Sequence, residues 1–185
     1  MKRLFIAIKV VPDAEFIRNY TLFIRQMSYH RIAWVAPEVM HMTLKFLGST
    51  AEDQIPLIEK AMEGIVKEMS PLEFQFSRLG IFGSSYLPKV IWLGTTQPEK
   101  LSIMGSAVLD GLHQAGFPRD RQNFVPHLTL GRIKKVENKK MFQKTIDQFR
   151  NQFVINGTIK ELLLFHSTLT TSGPNYQIIK SFILF

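Results

Sequence analysis

The chain has 185 residues, 45% of them hydrophobic, which is enough for a packed core and excludes disorder as the main state. Its 23 Lys and Arg against 15 Asp and Glu give a net charge of +8 and a pI near 9.8, favouring a polyanionic partner such as nucleic acid or a phosphorylated small molecule. Cysteine is absent, which rules out disulfides, thiolate nucleophiles and Cys-ligated zinc.

The first ten residues are basic and then apolar, but the apolar run is short, is broken by Lys9 and lacks a small-residue cleavage site, so residues 3–10 read as a strand. Pro12 and Asp13 open a helix to about Ser28, with Phe16, Tyr20, Phe23 and Met27 at helical spacing. Residues 40–47 read as a strand closed by Gly48-Ser49-Thr50, and residues 52–69 as a helix with Ile55, Ile58, Met62, Ile65, Val66 and Met69 on one stripe. Strands at 72–82 and 89–95 follow, joined through Gly83-Ser84-Ser85. A helix comes next at 98–115, closed by Gly116. The remainder reads as a strand at 127–133, a helix at 138–149, and strands at 153–159, 161–169 and 176–184.

Short turns between most strands and few, separated helices predict an α+β arrangement rather than a doubly wound parallel sheet. No long linker or low-complexity tract divides the chain, so residues 1–185 are expected to form one domain. No stretch approaches the ~20 apolar residues of a membrane span, and the expectation is a cytosolic protein without membrane contact.

One internal echo stands out. His41-Met42-Thr43-Leu44 recurs as His127-Leu128-Thr129-Leu130, each inside an apolar, strand-like run. Alternation along a strand puts His and Thr on one face. By the same rule Met42, Leu44 and Phe46 lie opposite His41, Thr43 and Lys45, and Leu128 and Leu130 lie opposite His127, Thr129 and Gly131. Two imidazole-and-hydroxyl faces suit a reaction that needs one proton donor and one acceptor around a bound anion, as in the hydrolysis of a cyclic phosphodiester. No metal or cofactor is needed for it.

With their flanks, the two motifs resemble the two-histidine phosphoesterase superfamily, and within it the bacterial and archaeal RNA 2',3'-cyclic phosphodiesterases, also described as 2'-5' RNA ligases. The resemblance rests on Arg3-Leu4-Phe5-Ile6-Ala7-Ile8, on Trp34 followed by His41 to Gly48, on Pro126 to Arg132, and on Gly173-Pro174-Asn175-Tyr176. It implies a bilobal, pseudo-twofold pair of mostly antiparallel sheets, with helices outside and the motifs facing each other across a central cleft. It also implies that His41 protonates the leaving oxygen, that His127 activates water, that Thr43 and Thr129 anchor the phosphate and that Arg132 adds positive charge. Phe5 becomes a candidate to stack on or pack beside the terminal base. The expected substrates are RNA ends or cyclic nucleotides, the product a 2'-phosphate, with 2'-5' ligation as the reverse reaction. A monomer is expected.

A third His-x-Thr-Leu, at His166, reads as a decoy: Leu162 and Leu164 share its face, and the resembling family carries only a serine on this strand, here Ser167. His30 and His113 read as solvent-exposed or capping residues. Arg119, Asp120, Arg121 and Gln122, and the run Lys134, Lys135, Lys139 and Lys140, read as solvated positions that could collectively steer RNA. Trp34, Phe46 and Trp92 read as core aromatics. No GxxxxGK loop supports nucleotide triphosphate hydrolysis. Rival readings are a relative acting on another cyclic or 2'-5' linked nucleotide, and a non-catalytic RNA-binding module.

Overall fold

A computed structural model describes residues 1–84, 86–119, 123–171 and 173–185. In chain order the elements are β1 (Lys2–Lys9), α1 (Ala14–Gln26), β2 (Arg31–Trp34), β3 (His41–Thr50), α2 (Ile55–Val66), β4 (Leu72–Gly83), β5 (Pro88–Thr95), α3 (Pro98–Gln114), β6 (His127–Lys135), α4 (Lys139–Phe149), β7 (Ile155–Ile159), β8 (Glu161–Thr170) and β9 (Gly173–Ile183). Local chemistry sets the helix ends. Asp13 accepts the Phe16 N–H at 2.8 Å and Asn138 accepts the Met141 N–H at 3.0 Å, each satisfying a donor that the first turn leaves free. After α3, Gly116 takes φ +95°, a conformation that side chains with a Cβ resist.

The strands form two sheets, of order β3-β1-β8-β9 and β2-β6-β5-β4-β7, and the pairings are antiparallel. Read outward from the motif strands, β3-β1-β8-β9 matches β6-β5-β4-β7, which is the predicted α+β, pseudo-twofold arrangement. Strand β2 is the departure: it adds to the outer edge of β6 with no counterpart beside β3, and its four residues were too short to announce themselves by periodicity.

Each sheet packs one face beneath helices, and the first also buries Phe5, Ala7, Leu163 and Phe165 on its other face. In the first, Leu4, Ile6, Met42, Leu44, Leu162 and Leu164 turn toward α2 and α3; in the second, Leu79, Ile91, Leu93, Leu128 and Leu130 turn toward α1 and α4. The chain crosses over in doing so, because α1 follows β1 of the first sheet yet packs on the second. Phe16 and Phe23 pack on Phe153, Phe23 also on Phe149, and the Tyr20 hydroxyl donates to the Leu130 carbonyl oxygen at 2.6 Å. Each such side chain contributes about 1.5–3 kcal/mol by leaving water. The faces without helices are where the histidines emerge. Among the described residues, no helix is long and apolar enough to cross a membrane.

Candidate active site

Strict alternation does not hold through either motif strand. Against β1, Thr43 pairs with Ala7 and Lys45 with Ile6, so Leu44 is an extra residue; against β5, Thr129 pairs with Trp92 and Gly131 with Ile91, so Leu130 is an extra residue. Each His-x-Thr-Leu therefore ends in a β-bulge. The bulge keeps His and Thr together on the open face and then resets the alternation. Residues 45 and 131 are buried, whereas Phe46 and Arg132 are exposed.

Three expectations are corrected by this. Phe46, expected in the core, is 56% exposed. Lys45, expected on the polar face, is buried and donates from Nζ to the Pro118 carbonyl oxygen at 2.6 Å. Gly131, expected on the same face as His127, turns inward, where a Cβ would stand 2.8 Å from the Trp34 ring. The compensation is that Arg132 joins His127 and Thr129 on the open face, a placement that the sequence pattern alone could not supply.

The histidines are held alike. His41 Nδ1 lies 2.8 Å from the Val39 carbonyl oxygen, and His127 Nδ1 lies 2.8 Å from the Val125 carbonyl oxygen. A carbonyl can only accept, so each Nδ1 carries a proton and each Nε2 is left to take or give one. Strands β3 and β6 approach one another between the sheets. Both imidazoles are pushed below the usual histidine range, chiefly by burial, against the opposing pull of the carbonyls. The Arg132 charge lowers both as well, and His127 further lowers His41, so the three groups feel one another electrostatically.

Around His41 the walls are aromatic. Phe5 sits 5.1 Å from the imidazole centroid, and the Tyr176 ring meets it edge-on at 5.1 Å. Phe5, 2% exposed and stacked on Phe165 at 5.0 Å, is the floor beneath the imidazole; the accessible aromatic beside it is Phe46. Around His127, Phe82 meets the imidazole edge-on at 4.9 Å and stacks on Trp92 at 4.6 Å. Trp92 and Phe82 are thus partly accessible site walls rather than core; Phe82 carried no motif signal, and Tyr176, which ends the Gly173-Pro174-Asn175-Tyr176 stretch, was given no role.

The other histidines stay apart from this arrangement. His166 lies half-buried on β8, paired with Leu4 and Gln177, on the face opposite Phe165 and Ser167. His30, expected exposed, is buried at 6%, with Nδ1 accepting the Glu137 N–H at 3.3 Å. Arg119 pairs with Asp110 at 2.7 Å, Lys135 with Glu137 at 2.7 Å, and Lys139 lies over the Tyr86 ring at 5.2 Å. Asp120, Arg121 and Gln122, like Ser85, lie outside the described residues.

The two imidazoles, held alike, each share the open face with the threonine two residues on, and the Arg132 charge acts on both. The sequence matches the 2'-5' RNA ligase superfamily over residues 12–170, and the chain belongs to that family. It is 30% identical to the RNA 2',3'-cyclic phosphodiesterase of Methanocaldococcus jannaschii, over 96% of this chain and 98% of that one. Against the Aquifex aeolicus protein of the same name the identity is 32%, over 82% of this chain and 81% of the other. In fold it resembles Escherichia coli LigT complexed with 3'-AMP (TM-score 0.73, 21% identity, 99% and 98% coverage) and the protein TT0787 of Thermus thermophilus (TM-score 0.72, 21% identity, 98% and 97% coverage).

Proposed function

We propose that the chain hydrolyses 2',3'-cyclic phosphate ends of RNA to 2'-phosphates, acting as a single domain of two lobes. Its relatives are named RNA 2',3'-cyclic phosphodiesterases, and the basic charge suits such a substrate. The observation that carries the reading is the matched pair of Nδ1-anchored imidazoles, which leaves two Nε2 atoms to serve one phosphate from opposite sides. His127 takes a proton from water as its oxygen bonds to phosphorus. The bond from phosphorus to the ribose 3' oxygen breaks, and His41 delivers the proton that makes the 3' hydroxyl. Thr43 and Thr129 hold non-bridging oxygens, and Arg132 offsets their charge. A 5' hydroxyl in place of water would run the reverse step to a 2'-5' linkage.

The chemistry needs no metal, since protons and hydrogen bonds account for every bond made and broken. Among the described residues no three His, Asp or Glu side chains gather into a metal-binding group. We further place the protein in the cytoplasm as a monomer. Incubation in EDTA with an oligonucleotide ending in a 2',3'-cyclic phosphate is expected to yield the 2'-phosphate. A folded protein that leaves the cyclic end intact, or that needs added metal, refutes the reading.

A further inference from the structure

A row of residues crosses the second sheet directly from the site. His127 stands opposite Gly94, and Gly94 opposite Arg78, so at the usual spacing of neighbouring strands the exposed Arg78 is about 10 Å from His127. Between them the Trp92 ring lies flat on the sheet: a Cβ on Gly80 or Gly94 would come within 2.6 or 2.8 Å of it. Beyond Arg78 a groove of about 460 Å³ opens, lined by Gln75, Thr96, Gln97, Asn156 and Thr158, with Glu73 also in its wall. Phe76, Ile155 and Ile159 are buried in the core beneath, and an extra residue at Ser77 keeps Arg78 on the side of Gln75. Groove, Arg78 and His127 therefore share one face.

We propose that this groove is a second recognition subsite, which takes the base of a nucleotide upstream of the cyclic phosphate while Arg78 holds the phosphate between. The inference rests on the reading that RNA ends are the substrate. Its walls suit a base better than a phosphate. Gln75 Nε2 donates to Asn156 Oδ1 at 2.9 Å, leaving an amide oxygen and an amide nitrogen side by side as acceptor and donor for a base edge. The Glu73 carboxylate repels phosphate yet can accept from an exocyclic amine. Because the cyclic phosphate ends the RNA at its 3' terminus, anything lying along this track is upstream of it.

The test compares kcat/KM on a 2',3'-cyclic mononucleotide and on a trinucleotide with the same terminus. Wild-type protein is expected to prefer the trinucleotide about tenfold, the worth of one or two hydrogen bonds, and the Gln75→Ala/Asn156→Ala double variant to lose most of that preference. Thr158→Val, a nearly isosteric change, supplies the same ratio should the double variant fold poorly. A wild-type ratio near one, or a variant ratio equal to wild type, overturns the subsite. Absence of turnover on both compounds refutes instead the activity itself. Binding of a trinucleotide bearing a terminal 2'-phosphate then decides the subsite alone: weaker binding by the variant sustains it, and equal binding overturns it.

Discussion

The two halves of the site share a backbone and differ in what they carry. Each strand offers His, Thr and a bulged Leu, and each imidazole is anchored to the carbonyl two residues before it. The next two positions then diverge: Lys45 and Phe46 in one half, Gly131 and Arg132 in the other. A buried lysine that grips Pro118 and an open aromatic stand where the other half has a bare backbone under Trp34 and an open guanidinium. On the proposed roles, the proton-transferring pair is symmetric while the group that would orient the substrate is not, since of the open positions 46 and 132 only the one on the His127 side carries a charge.

The symmetric part can be broken first, with the largest effect. His41→Ala and His127→Ala are each expected to lower kcat by about 10²- to 10⁴-fold on a cyclic-phosphate end. The double variant should fall little further, because groups serving one step are not additive. Retention of more than a tenth of the rate by either single variant would remove that histidine from the reaction.

Gly131 tests the bulge. An added Cβ would meet Trp34 at 2.8 Å and Ile32 at 2.9 Å, and a ring locked between strand and helix has little room to yield. Gly131→Ala should cost about 1–3 kcal/mol in denaturant unfolding, the usual penalty for overpacking. A stability equal to wild type would show that β2 is not pressed onto β6 as described.

How much of this was legible from the residues follows from the same bulges. The helices announced themselves through period and caps, and the His–Thr pairing followed from alternation, because both signals are local. A bulge is a fact about two strands: Leu44 is extra only when counted against Ile6 and Ala7. Alternation alone therefore sent Phe46 inward and Lys45 and Gly131 outward, and it could not bring Arg132 beside His127. Strand β2 and the burial of His30 escaped for a related reason, since both depend on β6 and the turn after it.

Arg132 sharpens the asymmetry. Its charge lowers both imidazole pKa values, adding to burial, so in the free protein both lie below 6.5. The proposed mechanism requires one imidazole protonated and the other neutral, so the kcat/KM optimum is expected below pH 6.5, with kcat/KM falling as pH rises through that value. The bound anion favours the imidazolium, so the kcat optimum should lie higher. Arg132→Gln removes a positive charge and should move both limbs of the kcat/KM profile upward, with a loss of about tenfold in kcat/KM for one charged phosphate contact. An unmoved profile would separate Arg132 from the imidazoles.

The smallest effect concerns the histidine outside the site. Burial holds the His30 pKa below its ordinary 6.5, opposed in part by Glu137, and its Nδ1 accepts the Glu137 N–H. Protonating Nδ1 would set two donors against each other beside the Phe142 ring, 5.4 Å away. The unfolded chain therefore binds a proton that the folded chain resists, and the sign follows: stability is full above pH 6.5 and is lost as pH falls from 6.5 through the lower folded value. His41 and His127 titrate in the same direction, so the wild-type curve alone cannot isolate His30. His30→Gln keeps an acceptor for Glu137 and removes the titration. Between pH 7 and 5 its Tm should fall by about 1–2 °C less than that of wild type, the scale of a few tenths of a kcal/mol in a chain of this size. Parallel curves would mean that His30 finds a partner for its second proton and plays no part in the acid sensitivity of the fold.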